Sequence, residues 1–192
     1  MLSRRVLINS GTDVRVKSMR LVLEKCVVRS WESSDATSLA IHANNRKIWI
    51  NLRDAFPFPY TRADARKFIK MARSMKPETY FAIEVDGKAV GAIGFGLHQD
   101  VERVSAEVGY WLSEKYWGRG ITTEALQALT QYAITKHNLT RVYAVPFEWN
   151  NASFRVLEKA GYQLECRLRK SAIKEGKIVD QLLYAYVLEE NS

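Results

Sequence analysis

The chain has 192 residues, 47% of them hydrophobic and 11% aromatic, with a net charge of +8. That is enough apolar material for the core of one ordinary domain, and it excludes a disordered or low-complexity protein. The longest small-and-apolar run, Ala89 to Leu97, is far short of the ~20 residues a membrane span needs, so the sequence predicts a soluble, cytoplasmic protein with no membrane partner.

The charge is uneven. Arg4, Arg5, Arg15, Lys17 and Arg20 stand against Asp13 in residues 1–20, so half of the excess lies there. Residues 1–20 read as a flexible basic extension ahead of a single domain at 21–190. Such an arm either stays solvated or meets phosphate, for instance ribosomal RNA.

Residues 21–31 read as a first strand. Ser33 or Ser34 caps a helix carrying Leu39, Ala40 and Ala43, and a second helical piece follows around Ile48, Ile50 and Leu52. In Asp54 to Thr61, Pro57 and Pro59 exclude helix. Phe56, Phe58 and Tyr60 around them form either a packed corner or the aromatic wall of a substrate cleft. Thr61, with Asp64 three residues on, opens a helix whose apolar face is Ala65, Phe68, Ile69 and Ala72. A hairpin follows, Thr79–Val85 and Lys88–Leu97, turning at Asp86-Gly87. Gly91, Gly94 and Gly96 in its second strand suggest a bulge or a close approach.

The next stretch organises the chain. Ala106, Val108, Tyr110 and Leu112 alternate with Glu107, Gly109 and Trp111, which is a strand period. From Ile121 the period becomes helical, through Ala125, Leu129 and Tyr132, to about residue 136. Gly118 and Gly120 flank Arg119 where the strand hands over to the helix. Glycine lets a ligand approach the main chain, and a helix start offers unpaired N–H donors with a partial positive charge, so the junction suits a phosphate or diphosphate. There is no G-x-x-x-x-G-K-[ST] run and no third glycine of the dinucleotide fingerprint.

Thr140 to Pro146 is another strand. Asn150 caps a helix on which Ala152, Val156 and Ala160 share a face, and Gly161 fits the position just past its end. Gln163 to Arg169 is a strand, and a final pair broken at Glu175-Gly176 closes the chain with Gln181 to Leu188. Cys26 and Cys166 lack metal-ligand spacing, lie in strand-like segments and read as buried free thiols. His42, His98 and His137 are dispersed and read as structural or exposed, and no metal is expected.

Three segments carry a family resemblance: Tyr110-Trp111-Leu112, then Tyr116-Trp117-Gly118-Arg119-Gly120-Ile121-x-Thr123-Glu124-Ala125, then Asn150-x-Ala152-Ser153 through Tyr162. Together they resemble the GCN5-related N-acetyltransferases (GNAT superfamily), in particular the branch of RimJ/RimL-like ribosomal-protein N-terminal acetyltransferases. Matches run over about residues 21–188, and Lys115 stands where the family usually has Gln or Arg. The resemblance implies an α/β (α+β) fold, a mixed, mostly antiparallel sheet splayed at the cofactor site with helices on both faces. It implies acetyl-CoA as co-substrate and direct transfer of its acetyl group to a primary amine in a ternary complex, without an acyl-enzyme. Cofactor contacts are implied for Trp111, Leu112, Lys115, Trp117, Gly118, Arg119, Gly120, Ile121, Thr122, Thr123, Asn150 and Ser153, with a strand N–H near Trp111 or Leu112 meeting the thioester oxygen. The aromatic loop of Phe56, Phe58 and Tyr60 is similar to a loop between the family's first two helices.

Proton handling assigns the remaining roles. Glu107, opposite Tyr110 on the strand, is the candidate base. Ser153, which the resemblance places near the cofactor sulfur, is the candidate acid for the leaving thiolate, with Tyr110 and Tyr116 as alternatives. An α-amine with a pKa of about 7.7–8 is roughly 10–17% neutral at pH 7, against about 0.04% for a lysine, so an N-terminal amine needs little help from a base. The acceptor is read as a protein N-terminus, possibly of a ribosomal protein, or a small amine. The protein is read as a monomer or homodimer. The competing expectations are a non-catalytic acyl-CoA-binding or ribosome/RNA-associated module, and an enzyme for a longer acyl donor.

Overall fold

A computed structural model describes residues 18–189. The first seventeen residues, with most of the basic extension, lie outside the described residues. Eight strands form one sheet: β1 (Arg20–Val22), β2 (Val27–Ser30), β3 (Tyr80–Val85), β4 (Lys88–Leu97), β5 (Ser105–Leu112), β6 (Arg141–Ala144), β7 (Gln163–Lys174) and β8 (Lys177–Val187). Their order is β1-β2-β3-β4-β5-β6-β8-β7, and only β5 and β6 run parallel. The helices are α1 (Ala36–Ala43), α2 (Arg46–Trp49), α3 (Arg62–Ser74), α4 (Ile121–His137) and α5 (Asn151–Lys159).

Period-2 patterning distributes the core over both faces of the sheet. Phe81, Ile83, Phe95 and Val108 pack with Leu126 and Leu129 of α4 and Leu157 of α5. Ala82 and Ala92 pack on the other face with Leu39 of α1 and Ala65 and Ile69 of α3. The β3–β4 register shifts at Ile83/Glu84, so Val90 and Ile93, three residues apart, reach the same face. A side chain at Gly91 would place its Cβ 2.5 Å from the Trp111 carbonyl oxygen, so the close approach expected there is real.

Two expectations are revised. The first strand is two short strands, β1 and β2, joined by a turn that Leu23 N–H closes on the Cys26 carbonyl (2.9 Å). The break has a distant cause. The Glu124 carboxylate on α4 accepts from the backbone N–H of Glu24 (3.0 Å) and Lys25 (2.8 Å), removing both from any ladder. Cys166 is exposed, because β7 is an edge strand, and only Cys26 is buried. Burial, with Glu124 adding to it, pushes the Cys26 thiol up to about 12.

The feature that positions the site is the β5–β6 seam. These strands pair only at Ser105–Arg141, Ala106–Val142 and Glu107–Tyr143. Beyond them β6 ends at Ala144, while β5 continues to Leu112 against β4. The sheet therefore opens along the second half of β5.

Candidate active site

A cleft of about 450 Å³ occupies this opening. Ser113 N–H donates to the Val90 carbonyl (2.9 Å) and His98 N–H to that of Ser105 (3.2 Å). Alternation along an antiparallel pair then turns the backbone of Trp111 and Gly109 toward β4, and that of Tyr110 and Leu112 toward the gap. Of the two strand N–H donors anticipated, Leu112 faces the opening and Trp111 does not. The Leu112 carbonyl accepts from Trp117 Nε1 (2.7 Å), which ties the following loop to the strand.

That loop enters α4 with Gly118 at φ 74° and Gly120 at φ 76°, a left-handed geometry that other residues adopt at a cost. Trp117, Gly118, Gly120, Ile121, Thr122 and Thr123 line the cleft, so the positive end of a 17-residue helix faces it. Lys115 and Arg119, expected beside them, do not line it. Their charges lie over the Tyr116 ring, 5.9 and 5.4 Å from its centroid. The sequence reading missed Lys25. The Glu124 clamp brings its ammonium within 3.0 Å of where a Gly120 Cβ would stand. A diphosphate at the loop would thus meet backbone donors and a helix terminus, with the Lys25 ammonium beside Gly120 and Lys47, Arg155 and Lys159 on the cleft lining.

Trp111, Leu112, Asn150 and Ser153 complete the anticipated cleft lining. Asn150 Oδ1 accepts from Ser153 N–H (3.2 Å), starting α5 so that Ser153 points at β5. Tyr110 Oη and Ser153 Oγ lie 2.8 Å apart. Burial holds the Tyr110 phenol well above its usual range, a shift that the Ser153 bond partly offsets. Tyr110 is therefore a protonated donor at neutral pH.

Glu107 points to the other face of β5, as its place in the alternation requires. There it lines a second cavity of about 730 Å³. About 10 Å of strand, three residues, separates it from Tyr110 along the chain. Its carboxylate accepts from Arg53, which lies between α2 and α3. His98 and Tyr143 line the same cavity, with Nε2 to Oη at 2.8 Å and the rings stacked. His98 is thus hydrogen-bonded within this cavity and partly exposed. Lys174, only 2% exposed, donates to the Leu52 carbonyl (2.8 Å) and Asp54 (2.8 Å) and sits 4.0 Å from the centroid of the Trp49 ring. It fixes the segment that carries Arg53.

Two rings of the aromatic loop, Phe56 and Tyr60, form a packed corner. Phe56 stacks on Tyr60 (4.7 Å) and meets Trp111 edge-on (5.9 Å), inside the α1–α3 core. Phe58 packs on Trp49 (5.7 Å). None of the three lines either cavity. Burial draws Phe56 and Tyr60 inward, leaves Phe58 exposed, and leaves the polar start of the loop, Arg53 and Asp54, at the cavity. Among the described residues no group of three or more His, Cys, Asp or Glu is arranged to hold a metal ion.

A strand that parts from its neighbour beside a glycine-entered helix is a feature that can be compared across proteins. The Acetyltransferase (GNAT) domain family matches residues 25–163. The chain belongs to this family. The probable N-acetyltransferase YjcK of Bacillus subtilis (strain 168) is 37% identical over 168 residues, 82% of this chain and 91% of its own. The ribosomal-protein-serine acetyltransferase of Escherichia coli (strain K12) is 28% identical over 147 residues, 74% and 82% of the two chains. Among solved structures, Mycobacterium smegmatis RimJ in complex with CoA-disulfide superposes with a TM-score of 0.77 at 22% identity, covering 88% of this chain and 86% of its own. The mixed, mostly antiparallel sheet with helices on both faces is therefore the GNAT fold, and the chain is a GNAT acetyltransferase.

Proposed function

We propose that this protein transfers the acetyl group of acetyl-CoA to a primary amine by direct attack, with both substrates bound at once. One observation carries the reading. The parted strand β5 presents donors and a phenol to the glycine-loop cleft on one side, and a carboxylate to a separate cavity on the other. The two sites flank the segment in which β5 has parted from β6.

The chain's own groups divide the work. N–H groups at the start of α4, with Lys25, hold the diphosphate, and Trp111, Asn150 and the α2 side of the cleft receive the rest of acetyl-CoA. The Leu112 N–H, turned into the gap, stabilises the charge that builds on the thioester oxygen. Glu107 takes the proton from the acceptor ammonium, once Arg53 has released it. The Tyr110–Ser153 pair returns a proton to the leaving thiolate. The thiolate, with a pKa near 8.5, is a weaker base than the phenolate, so this transfer accompanies C–S cleavage and the second proton from the acceptor nitrogen restores the phenol.

The acceptor is a protein N-terminus or a small amine. The likeness to the Escherichia coli enzyme and the basic first twenty residues place a ribosomal-protein N-terminus among the candidates, and both suit work in the cytoplasm. Titration calorimetry with acetyl-CoA, succinyl-CoA and CoA tests the donor. Micromolar acetyl-CoA binding that Gly120→Trp abolishes is the expected result. Absence of binding by every CoA species overturns the enzyme reading. With an acceptor in hand, Glu107→Gln lowers kcat about a hundredfold or more and leaves acetyl-CoA affinity intact.

A further inference from the structure

The acceptor cavity is chemically uneven at its mouth and balanced overall. Its lining holds three cations, Arg53, Arg141 and Lys174, and three carboxylates, Asp54, Glu102 and Glu107. A polyamine needs a surplus of carboxylates, and a strongly acidic peptide needs a surplus of cations. The cavity offers neither surplus. It fits a ligand that carries both signs and no net charge.

Two of the three cations are committed. Lys174 is buried against Asp54, the Leu52 carbonyl and the Trp49 ring. Arg141 forks onto Glu165, with one contact at 2.6 Å. Arg53 differs. Its side chain is 74% exposed, and its ion pair is with Glu107, the group that an acceptor ammonium must reach. An exposed ion pair of this kind is weak and exchanges readily. Its backbone is nonetheless held, because Lys174 bonds the residues on both sides, Leu52 and Asp54. Arg53 can therefore swing its guanidinium off Glu107 without leaving the cavity.

We infer that the acceptor is zwitterionic, a primary amine with a carboxylate a few bonds away, as in a free amino acid. The inference rests on the acetyl-transfer reading above. The ammonium takes the place of Arg53 on Glu107, and the carboxylate takes the place of Glu107 on Arg53. One ligand replaces both halves of the pair, so neither charge is left without a partner. The guanidinium fork matches a carboxylate with two parallel hydrogen bonds. Phe147, Leu168 and Leu183, in the same cavity, offer an apolar floor for a side chain. The chemistry balances: the ammonium loses a proton through Glu107, its nitrogen bonds the acetyl carbon, and the C–S bond breaks. The second nitrogen proton is released, the thiolate takes one from Tyr110–Ser153, and N-acetyl amine, CoA thiol and one net proton result.

The test is thiol release from acetyl-CoA with matched acceptors: L-leucine against L-leucinamide, and an N-terminally free, C-terminally amidated tripeptide. The amide carries the more acidic ammonium, so intrinsic reactivity favours it, and a preference for the acid must come from the protein. The expected kcat/KM for leucine exceeds that for leucinamide at least tenfold, the scale of one charged hydrogen bond. Arg53→Gln brings that ratio to one or below, and Arg53→Lys leaves it in between. Equal or better use of the amide by the wild type overturns the inference, as does a ratio that Arg53→Gln leaves unchanged. So does reaction with the tripeptide alone. In those outcomes acetyl transfer itself stands. Failure to bind acetyl-CoA, or to release thiol with any amine, sinks acetyl transfer and this inference together.

Discussion

Arg29 is 5% exposed, yet it carries a full charge between two strands. It forks onto Asp35 at 2.8 and 2.8 Å and donates through Nε to Glu84. The Asp35 and Glu84 bonds raise its pKa above even the usual guanidinium range, against the opposing effect of burial. Arg29→Met removes the cation and leaves two carboxylates facing each other, so it costs about 3–5 kcal/mol in denaturant unfolding. At the active site, Tyr110→Phe removes a donor and keeps the packing. It lowers kcat and leaves acetyl-CoA affinity nearly unchanged, which a kcat against KM comparison reads directly. The phenol's upward shift also means that it stays protonated through neutral and mildly alkaline pH. The rising limb of a pH–rate profile then belongs to the acceptor amine.

Single elements carry other consequences. Helix α3 begins with a capping box in which Thr61 and Asp64 exchange hydrogen bonds. The Thr61 hydroxyl and then its N–H hold the Asp64 carboxyl below its ordinary value of 3.8. The folded pKa is depressed, so the stabilisation is present above pH 3.8 and disappears as pH falls through the lower folded value. The difference in melting temperature between wild type and Asp64→Asn narrows accordingly on acidification. At the α4 entry, Gly120→Ala forces a Cβ into the left-handed region beside Lys25. About 1–2 kcal/mol of strain would lower the stability of the fold, which denaturant unfolding reads directly.

These elements also mark what the sequence could tell. The α4 entry and the α5 cap were legible because glycine, Asn150 and the change of period act locally. The opposite facing of Glu107 and Tyr110 followed from period 2 alone. Other members of the site depend on distant partners. Lys174 meets Asp54 across 120 residues, and Lys25 is placed by Glu124 across 99. No local pattern announces such pairs. Whether Phe56 and Tyr60 form a wall or a packed corner was not legible for a related reason. An aromatic ring in a proline-rich loop has the same sequence signature whether it faces a ligand or the core.

At the scale of the whole molecule, charge is the property that the described residues leave partly unaccounted for. Residues 1–17, with Arg4, Arg5, Arg15 and Lys17 against Asp13, carry +3 of the +8 ahead of the sheet, and no described helix is long and apolar enough to cross a membrane. Removing residues 1–17 is expected to lower affinity for RNA, most strongly at low salt, while acetyl-CoA binding persists. Filter binding across a salt series beside calorimetry separates the two.

The β5–β6 seam divides the sheet in another sense. Three residue pairs join a five-stranded portion, β1 to β5, to a three-stranded one, β6 to β8, and α4 and α5 pack across the join. Such a boundary is where a protein separates into cooperative units. Without ligand, amide hydrogens of β6 and β8 should exchange by partial opening, at a lower free energy than those of β3 and β4. A molecule lodged between the lips is held by both portions and binds only when they are together. Ligand would therefore raise the opening free energy of the seam and merge two exchange classes into one. The same gap that admits a substrate would then set the cooperativity of the fold.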